Sequence, residues 1–271
     1  MKVLRRFLSR SVLESPAFGI RRWLARLARD KSPAALQMSN DTYDAQTIEV
    51  MKRSLTPQSN CVDVGCHEGA VLDKMVAIAP HGTHFAFEPI PDFHRKCVAR
   101  FTPNRKVHIY ELALSDCVGT FPFQHVVSNP AYSGLRRRRY DRSSETITEI
   151  MIRTNLLDNI IPTDVPIDFV KIDVEGAELQ VLKGAIGVLR RSRPMIVFEH
   201  GLGAADYYGT SPEDMYELLA GKCELQISLM ERWLNGEPPL SEADFCDQFY
   251  NGRNFYFLAH PSSASLGHPP G

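Results

Sequence analysis

The run CVDVGCHEG at residues 61–69 decides how the chain is read. A short apolar stretch carries Asp63 near its end, and Gly65 and Gly69 follow. A strand that breaks into a glycine turn and then a helix is a common cradle for a nucleotide-like ligand at the carboxyl end of a parallel sheet. The spacing excludes two ordinary occupants. A dinucleotide fold uses G-x-G-x-x-G so that backbone can approach a pyrophosphate. Here the pattern is D-x-G-x-x-x-G, with one glycine fewer and a carboxylate where phosphate charge would sit. A P-loop needs G-K-[ST] after its second glycine, and none follows. Asp63 repels phosphate and attracts an ammonium, so the expected ligand carries an amine here and no phosphate.

A second acid stands in a matching place. FAFEPIP (85–91) ends a strand on Glu88, about 20 residues beyond Gly69, where a carboxylate can accept both hydroxyls of a ribose. S-adenosylmethionine has an amino-acid end, a sulfonium and a ribose without phosphate, and it fits both acids. A plainer role stays open, because acids at strand ends often cap the helices that follow. Cys66 and His67 are expected to line the turn through their backbone. No Cys/His spacing of metal-site type occurs, so no metal ligand is assigned.

Outward from this turn, short apolar runs alternate with helix-length amphipathic stretches. Strands are predicted near 60–64, 83–88, 107–111, 167–172, 194–199, 224–229 and 254–259. Helices are predicted near 68–79, 91–101, 176–190 and 211–221. This order implies βαβ units in an α/β, Rossmann-like fold: a mostly parallel seven-stranded sheet with helices on both faces. The last two strands are joined by an irregular, Pro-containing link, which predicts an antiparallel strand at one edge.

The chain's 271 residues, 44% of them apolar, fit one domain of ordinary size with extensions. Residues 1–44 read as a basic helical N-terminal extension, 45–260 as the domain and 261–271 as a disordered tail. Residues 1–31 hold nine Lys/Arg against Glu14 and Asp30, while the whole chain carries a net charge of −1. The body is therefore mildly acidic, which argues against a nucleic-acid-coating protein. Residues 2–29 form two short basic amphipathic segments broken near Ser15-Pro16. They read as helices packed on the domain, as an arm that docks on a membrane surface or a partner, or, being Arg-rich and acid-poor, as a transit peptide. No apolar run approaches a membrane span, no secretory h-region is present, and the six cysteines form no CxxC pair. The expectation is a cytoplasmic protein with reduced thiols and at most peripheral membrane contact.

The run FVKIDVEGAELQVLKGA (169–185) then narrows the field. With CVDVGCHEG, FEPIP, ELALSD (111–116), LLD (156–158) and VFEHG (197–201), it resembles the FkbM-type methyltransferase family over roughly residues 45–260. The resemblance implies a class I methyltransferase fold, S-adenosylmethionine as donor, and transfer to a hydroxyl oxygen of a small molecule, sugar or glycolipid. It places Asp63, Gly65 and Gly69 in the cofactor turn, Glu88 on the ribose, and Ala113 and Leu114 along the adenine. AYSGL (131–135) stands where family members carry a serine-containing stretch, but four arginines, 136–139, follow it here. SNPAY (128–132) resembles the NPPY loop of amino-group methyltransferases, yet IDVEG occupies the position that such a loop would take.

Ligands in such sheets bind beyond the carboxyl ends of the strands. Asp173 and Glu175 follow one strand and His200 another. Methyl transfer needs an acceptor oxygen aligned with the methyl carbon and relieved of its proton. His200 is the expected base, with a backbone-bonded structural histidine as the alternative. Asp173 and Glu175 are expected to orient the acceptor, take its proton or hold a divalent ion, for which no third ligand is evident. Glu178 reads as a helix-face or solvated acid, Asp158 as a helix cap, and Gly176 as a turn residue. The arginine run reads as a solvated loop; facing the cleft, it would favour an acidic acceptor. The competing functions are N-methyl transfer to an amine or amide, and a catalytically idle docking module.

Overall fold

The computed structural model describes residues 33–140 and 144–262. The basic stretch 2–29 and the tail from residue 263 lie outside these described residues. A helix, Pro33–Ser54, leads into the domain. Strands β1 (Cys61–Val64), β2 (His84–Phe87), β7 (Phe169–Ile172) and β8 (Met195–Glu199) are buried along their whole lengths. Continuous burial is what a parallel sheet covered on both faces requires.

The main sheet has seven strands in the order β3-β2-β1-β7-β8-β10-β9, where β3 is Val107–Tyr110, β9 Gln226–Ser228 and β10 Tyr256–His260. The strands from β3 to β8 are mutually parallel, and β10 runs antiparallel to both β8 and β9. The chain winds outward from β1 to β3, then returns to lay β7 on the other side of β1. The boundary between β1 and β7 is thus the topological switch point, where a crevice opens. Val62, Val64, Val170, Ile172, Ile196 and Phe198 face one core, shared with helices Glu178–Lys183 and Ile186–Ser192. Cys61, Phe169, Met195 and Val197 face the other, packed on helices Pro33–Ser54, Ala70–Ile78 and Pro91–Phe101. Among the described residues no helix is long and apolar enough to cross a membrane.

Three local features depart from the sequence reading. First, a long antiparallel hairpin of β5 (Gly119–Val126) and β6 (Ile147–Asn155) joins β4 (Ala113–Leu114) in a separate three-stranded sheet. Pro122 obscured it, although β5 is an edge strand where a missing N–H costs no ladder bond. Second, the stretch 176–190 holds two helices that meet at Gly184, where a Cβ would lie 2.1 Å from the Ser115 carbonyl oxygen. Third, helices Met230–Leu234 and Glu242–Tyr250 fill the link between β9 and β10, the second capped by the Ser241 hydroxyl.

Asp158 does cap a helix. Its carboxylate accepts the N–H groups of Gly187 (2.8 Å) and Val188 (2.7 Å) in the first turn of Ile186–Ser192. Asp158→Ala is expected to cost about 1 kcal/mol and to lower the melting temperature by roughly 2–4 °C. Asp158→Asn should keep part of that loss from appearing, and an unchanged melt in the alanine variant would remove the cap from this account.

Candidate functional site

The site begins with a cross-strand pair. Register places Asp63 of β1 directly opposite Lys171 of β7. Both are buried, at 1% and 9% exposure. Two residues beyond Lys171 on the same face is Asp173, whose carboxylate accepts from Lys171 Nζ at 3.1 Å and from the Tyr256 hydroxyl at 2.7 Å. Burial opposes the charge on Lys171, but Asp173 and Asp63 outweigh it and raise its pKa. Burial likewise pushes the Asp173 carboxyl up, yet Lys171, Tyr256 and Arg138 reverse the effect and hold it below the usual carboxylate range.

Asp63 is less well served. Neither of its carboxylate oxygens makes a hydrogen bond of ordinary geometry among the described residues, although the Leu72 backbone N–H lies near enough to favour its charge. Burial, only partly offset by Lys171, lifts its pKa to about 6. Glu88, at the end of β2, accepts the backbone N–H of His67 (2.9 Å) and of Ile90 (2.8 Å), and burial raises it to about 7. These bonds fix its carboxylate beside the turn. Gly65 holds the turn at φ 75°, and a Cβ there would stand 2.1 Å from the Asp173 carbonyl oxygen, so β1 and β7 can only meet this closely at glycine.

A cavity of about 370 Å³ opens over this floor. Asp63, Gly65, Cys66, His67, Glu88, Ala113 and Leu114 line it, and Asp173 and Glu175 line its other end. Gly69 stands behind the turn against Phe101. The DVEG loop is pinned by Glu178, which is buried and not a solvated acid. Its carboxylate accepts the N–H groups of Val174 (3.1 Å) and Gly176 (3.0 Å), and burial raises its pKa to about 7. At Gly176, φ is 110° and a Cβ would meet the Ala204 backbone at 2.7 Å. The loop after β5 forms the roof: Pro130, Ala131, Ser133 and Leu135 line the cavity. Arg138 turns inward to pair with Glu175 and lies over the Tyr132 ring, whereas Arg136, Arg137 and Arg139 are exposed.

The Methyltransferase FkbM domain model matches residues 63–226, more than half of the chain. The chain belongs to the FkbM methyltransferase family. It is 25% identical over 154 residues to the 2-O-methyltransferase NoeI of Sinorhizobium fredii, covering 51% of this chain and 61% of that protein. The match therefore spans about three-fifths of NoeI's length. Among solved structures, an FkbM methyltransferase from Methylobacillus flagellatus aligns with a TM-score of 0.48 and 15% identity, covering 76% of this chain and 44% of that one. Aeropyrum pernix fibrillarin, solved with natively bound S-adenosyl-L-methionine, aligns with a TM-score of 0.40 and 12% identity, over 79% and 73% of the two chains.

Within this FkbM domain the expected base is misplaced. His200 is fully buried and does not line the cavity. Its ring stacks on Phe249 (4.6 Å) and Phe245 (5.9 Å), neither ring nitrogen has a partner among the described residues, and burial lowers its pKa to about 3. It is a neutral core side chain. Its place directly after β8 made it attractive in sequence, but the ring points into the helix layer. Asp44 and Lys171 line the cavity and were not singled out. Glu199, just before His200, was also passed over. It is 9% exposed, lies with Asp173 and Glu175 so that one oxygen of each falls within 4.8 Å of the others, and is raised by burial to about 8. Lys171 could have been found from its position: a lysine inside an otherwise apolar parallel strand needs a buried acid opposite it.

Two outcomes are expected. His200→Leu should leave S-adenosylhomocysteine affinity within about threefold while changing the melting temperature, as a core substitution does; a collapse of affinity in a folded variant would return His200 to the site. Asp63 and Glu88 have folded-state pKa values above their ordinary ones, so their contribution to stability is present below about pH 4 and is lost as pH rises through about 6 and 7. In urea unfolding at pH 8, Asp63→Asn should therefore be more stable than the parent by about 2–3 kcal/mol. A less stable variant at pH 8 would contradict the burden assigned to Asp63.

Proposed function

We propose that the chain is an S-adenosylmethionine-dependent methyltransferase that acts on a hydroxyl oxygen of a small molecule, sugar or glycolipid. The observation that carries this reading is that Asp63 lines the same cavity as Glu88, with its buried carboxylate short of hydrogen-bond partners among the described residues. An ammonium at Asp63 would complete its coordination, and ribose hydroxyls could donate to the free lone pairs of Glu88. Ala113 and Leu114 offer an apolar wall for a base, and among the described residues lining the cavity the cation is Lys171, which is committed to Asp173. When bound, the cofactor supplies a methyl group already activated by its sulfonium.

The chain's own residues then have three tasks. Asp63 and Glu88 hold the donor at both ends. The roof loop and the Asp173–Glu175 wall leave room for an acceptor and exclude water. Proton acceptance falls to the wall carboxylates. Asp173 is a weak base, because Lys171 and Tyr256 hold its charge, and it serves better to orient a hydroxyl; Glu175 is the stronger candidate once Arg138 moves from it. Hydroxyl transfer is favoured over amine transfer by the name of NoeI, a 2-O-methyltransferase. The open cavity favours an enzyme over an idle docking module, since the roof loop lines the space without filling it.

Calorimetric titration with S-adenosylhomocysteine tests the donor site. Micromolar binding is expected, weakened at least tenfold by Asp63→Ala and by Glu88→Ala in folded protein, with NAD giving no heat. Unchanged affinity in both variants, or preferential binding of NAD, would overturn the reading.

A further inference from the structure

Three carboxyl groups meet at the acceptor end of the cavity, with Lys171 and Arg138 as the cations beside them. Asp173, Glu175 and Glu199 come from two adjacent strand ends, and one oxygen of each lies within 4.8 Å of the others. Lys171 and Tyr256 serve Asp173, and Arg138 pairs with Glu175. Glu199 has no such direct partner, although Arg138 and Lys171 lie near enough to favour its charge. It is 9% exposed, and its carboxylate accepts no hydrogen bond and joins no ion pair among the described residues. Register explains why it points here: β10 sets Tyr256 directly opposite Glu199, and the Tyr256 hydroxyl is committed to Asp173. A buried carboxylate left without a donor, aimed at two others, is costly unless a cation joins it.

We propose that Asp173, Glu175 and Glu199 form a divalent-cation site, for magnesium or manganese, on the acceptor side of the cavity. All three donors are hard carboxylate oxygens with no nitrogen or sulfur among them, the set that such ions prefer. Two of the three, Asp173 and Glu175, line the cavity, so an ion held there can meet an acceptor hydroxyl and lower its pKa. Arg138 is the resident counter-cation of this cluster, and it competes with the metal for Glu175. Metal entry releases the arginine and with it a tether of the roof loop. The proposal rests on the acceptor-side reading above, but the ion site is tested separately from the donor site.

The test is a titration of the full chain with manganese(II), followed by electron paramagnetic resonance and by calorimetry, with S-adenosylhomocysteine affinity measured in parallel. One manganese per chain is expected. Glu199→Gln should weaken it at least tenfold, and Arg138→Gln should tighten it several-fold by removing the competing charge. The opposite sign of these two effects is what a merely destabilised protein would not produce. Binding unaffected by both substitutions would mark an adventitious surface ion and overturn the proposal, as would no binding at millimolar manganese. If Glu199→Gln does not fold, the Arg138→Gln result decides alone: unchanged or weaker manganese binding overturns the site. Absence of S-adenosylhomocysteine binding would instead strike the donor reading and leave the manganese result to stand by itself.

Discussion

Lys171 and Asp63 stand opposite one another across the boundary where the sheet reverses its winding, and the rest of the site is arranged around that buried pair of charges. One ammonium serves two carboxylates here. It sits 3.1 Å from Asp173, with Tyr256 completing that carboxylate's bonds, so among the described residues Asp63 is left with two poorly served oxygens. In a low-dielectric interior such a group is expensive unless something else arrives to complete it. The fold keeps a destabilising carboxylate at its centre, which is how binding sites commonly differ from cores. The glycine turn, the pinned Glu88 and the DVEG loop locked by Glu178 are the supports that hold this charge in position.

Much of this was legible in the sequence because the relevant signals are local. Apolar runs such as VDV, HFAF, FVKI and MIVFE are short, continuous and separated by helix-length stretches, and that pattern translates directly into a covered parallel sheet. Asp63, Gly65 and Glu88 were legible because strand ends and turns fix where their side chains emerge. The β5–β6 hairpin was not, since Pro122 and the mixed polar pattern of an edge ribbon weaken the period-two signal. The two helices before β10 hid behind Pro238 and Pro239, although Ser241 and Asp244 marked the start of the second.

The acceptor side shows where local reading ends. His200 and Glu199 are neighbours at the end of β8, and alternation sends one into the helix layer and the other toward Asp173. Which goes where depends on the register of β8 with β7 and β10, a property of three strands at once. The arginine run divides in the same way: Arg138 turns onto Glu175 while its neighbours stay exposed. A roof loop tied by charge to the wall of its own cavity links access to that cavity to the electrostatics of the wall. Variation in this loop between family members would change what enters without disturbing the donor floor.

The central claim is that Asp63 and Glu88 stand ready, partly protonated, for an ammonium and a ribose. It is tested most directly by counting protons exchanged when S-adenosylhomocysteine binds. Calorimetry at pH 6 in buffers of different ionisation enthalpy gives that number. With pKa values of about 6 and 7 in the free protein, both carboxylates must lose protons to receive these donors, and roughly one to one and a half protons are expected to be released per ligand. Asp63→Asn should reduce the release along with the affinity. Tight binding with no proton released would contradict the account, because the ligand would then be held by groups other than these two acids.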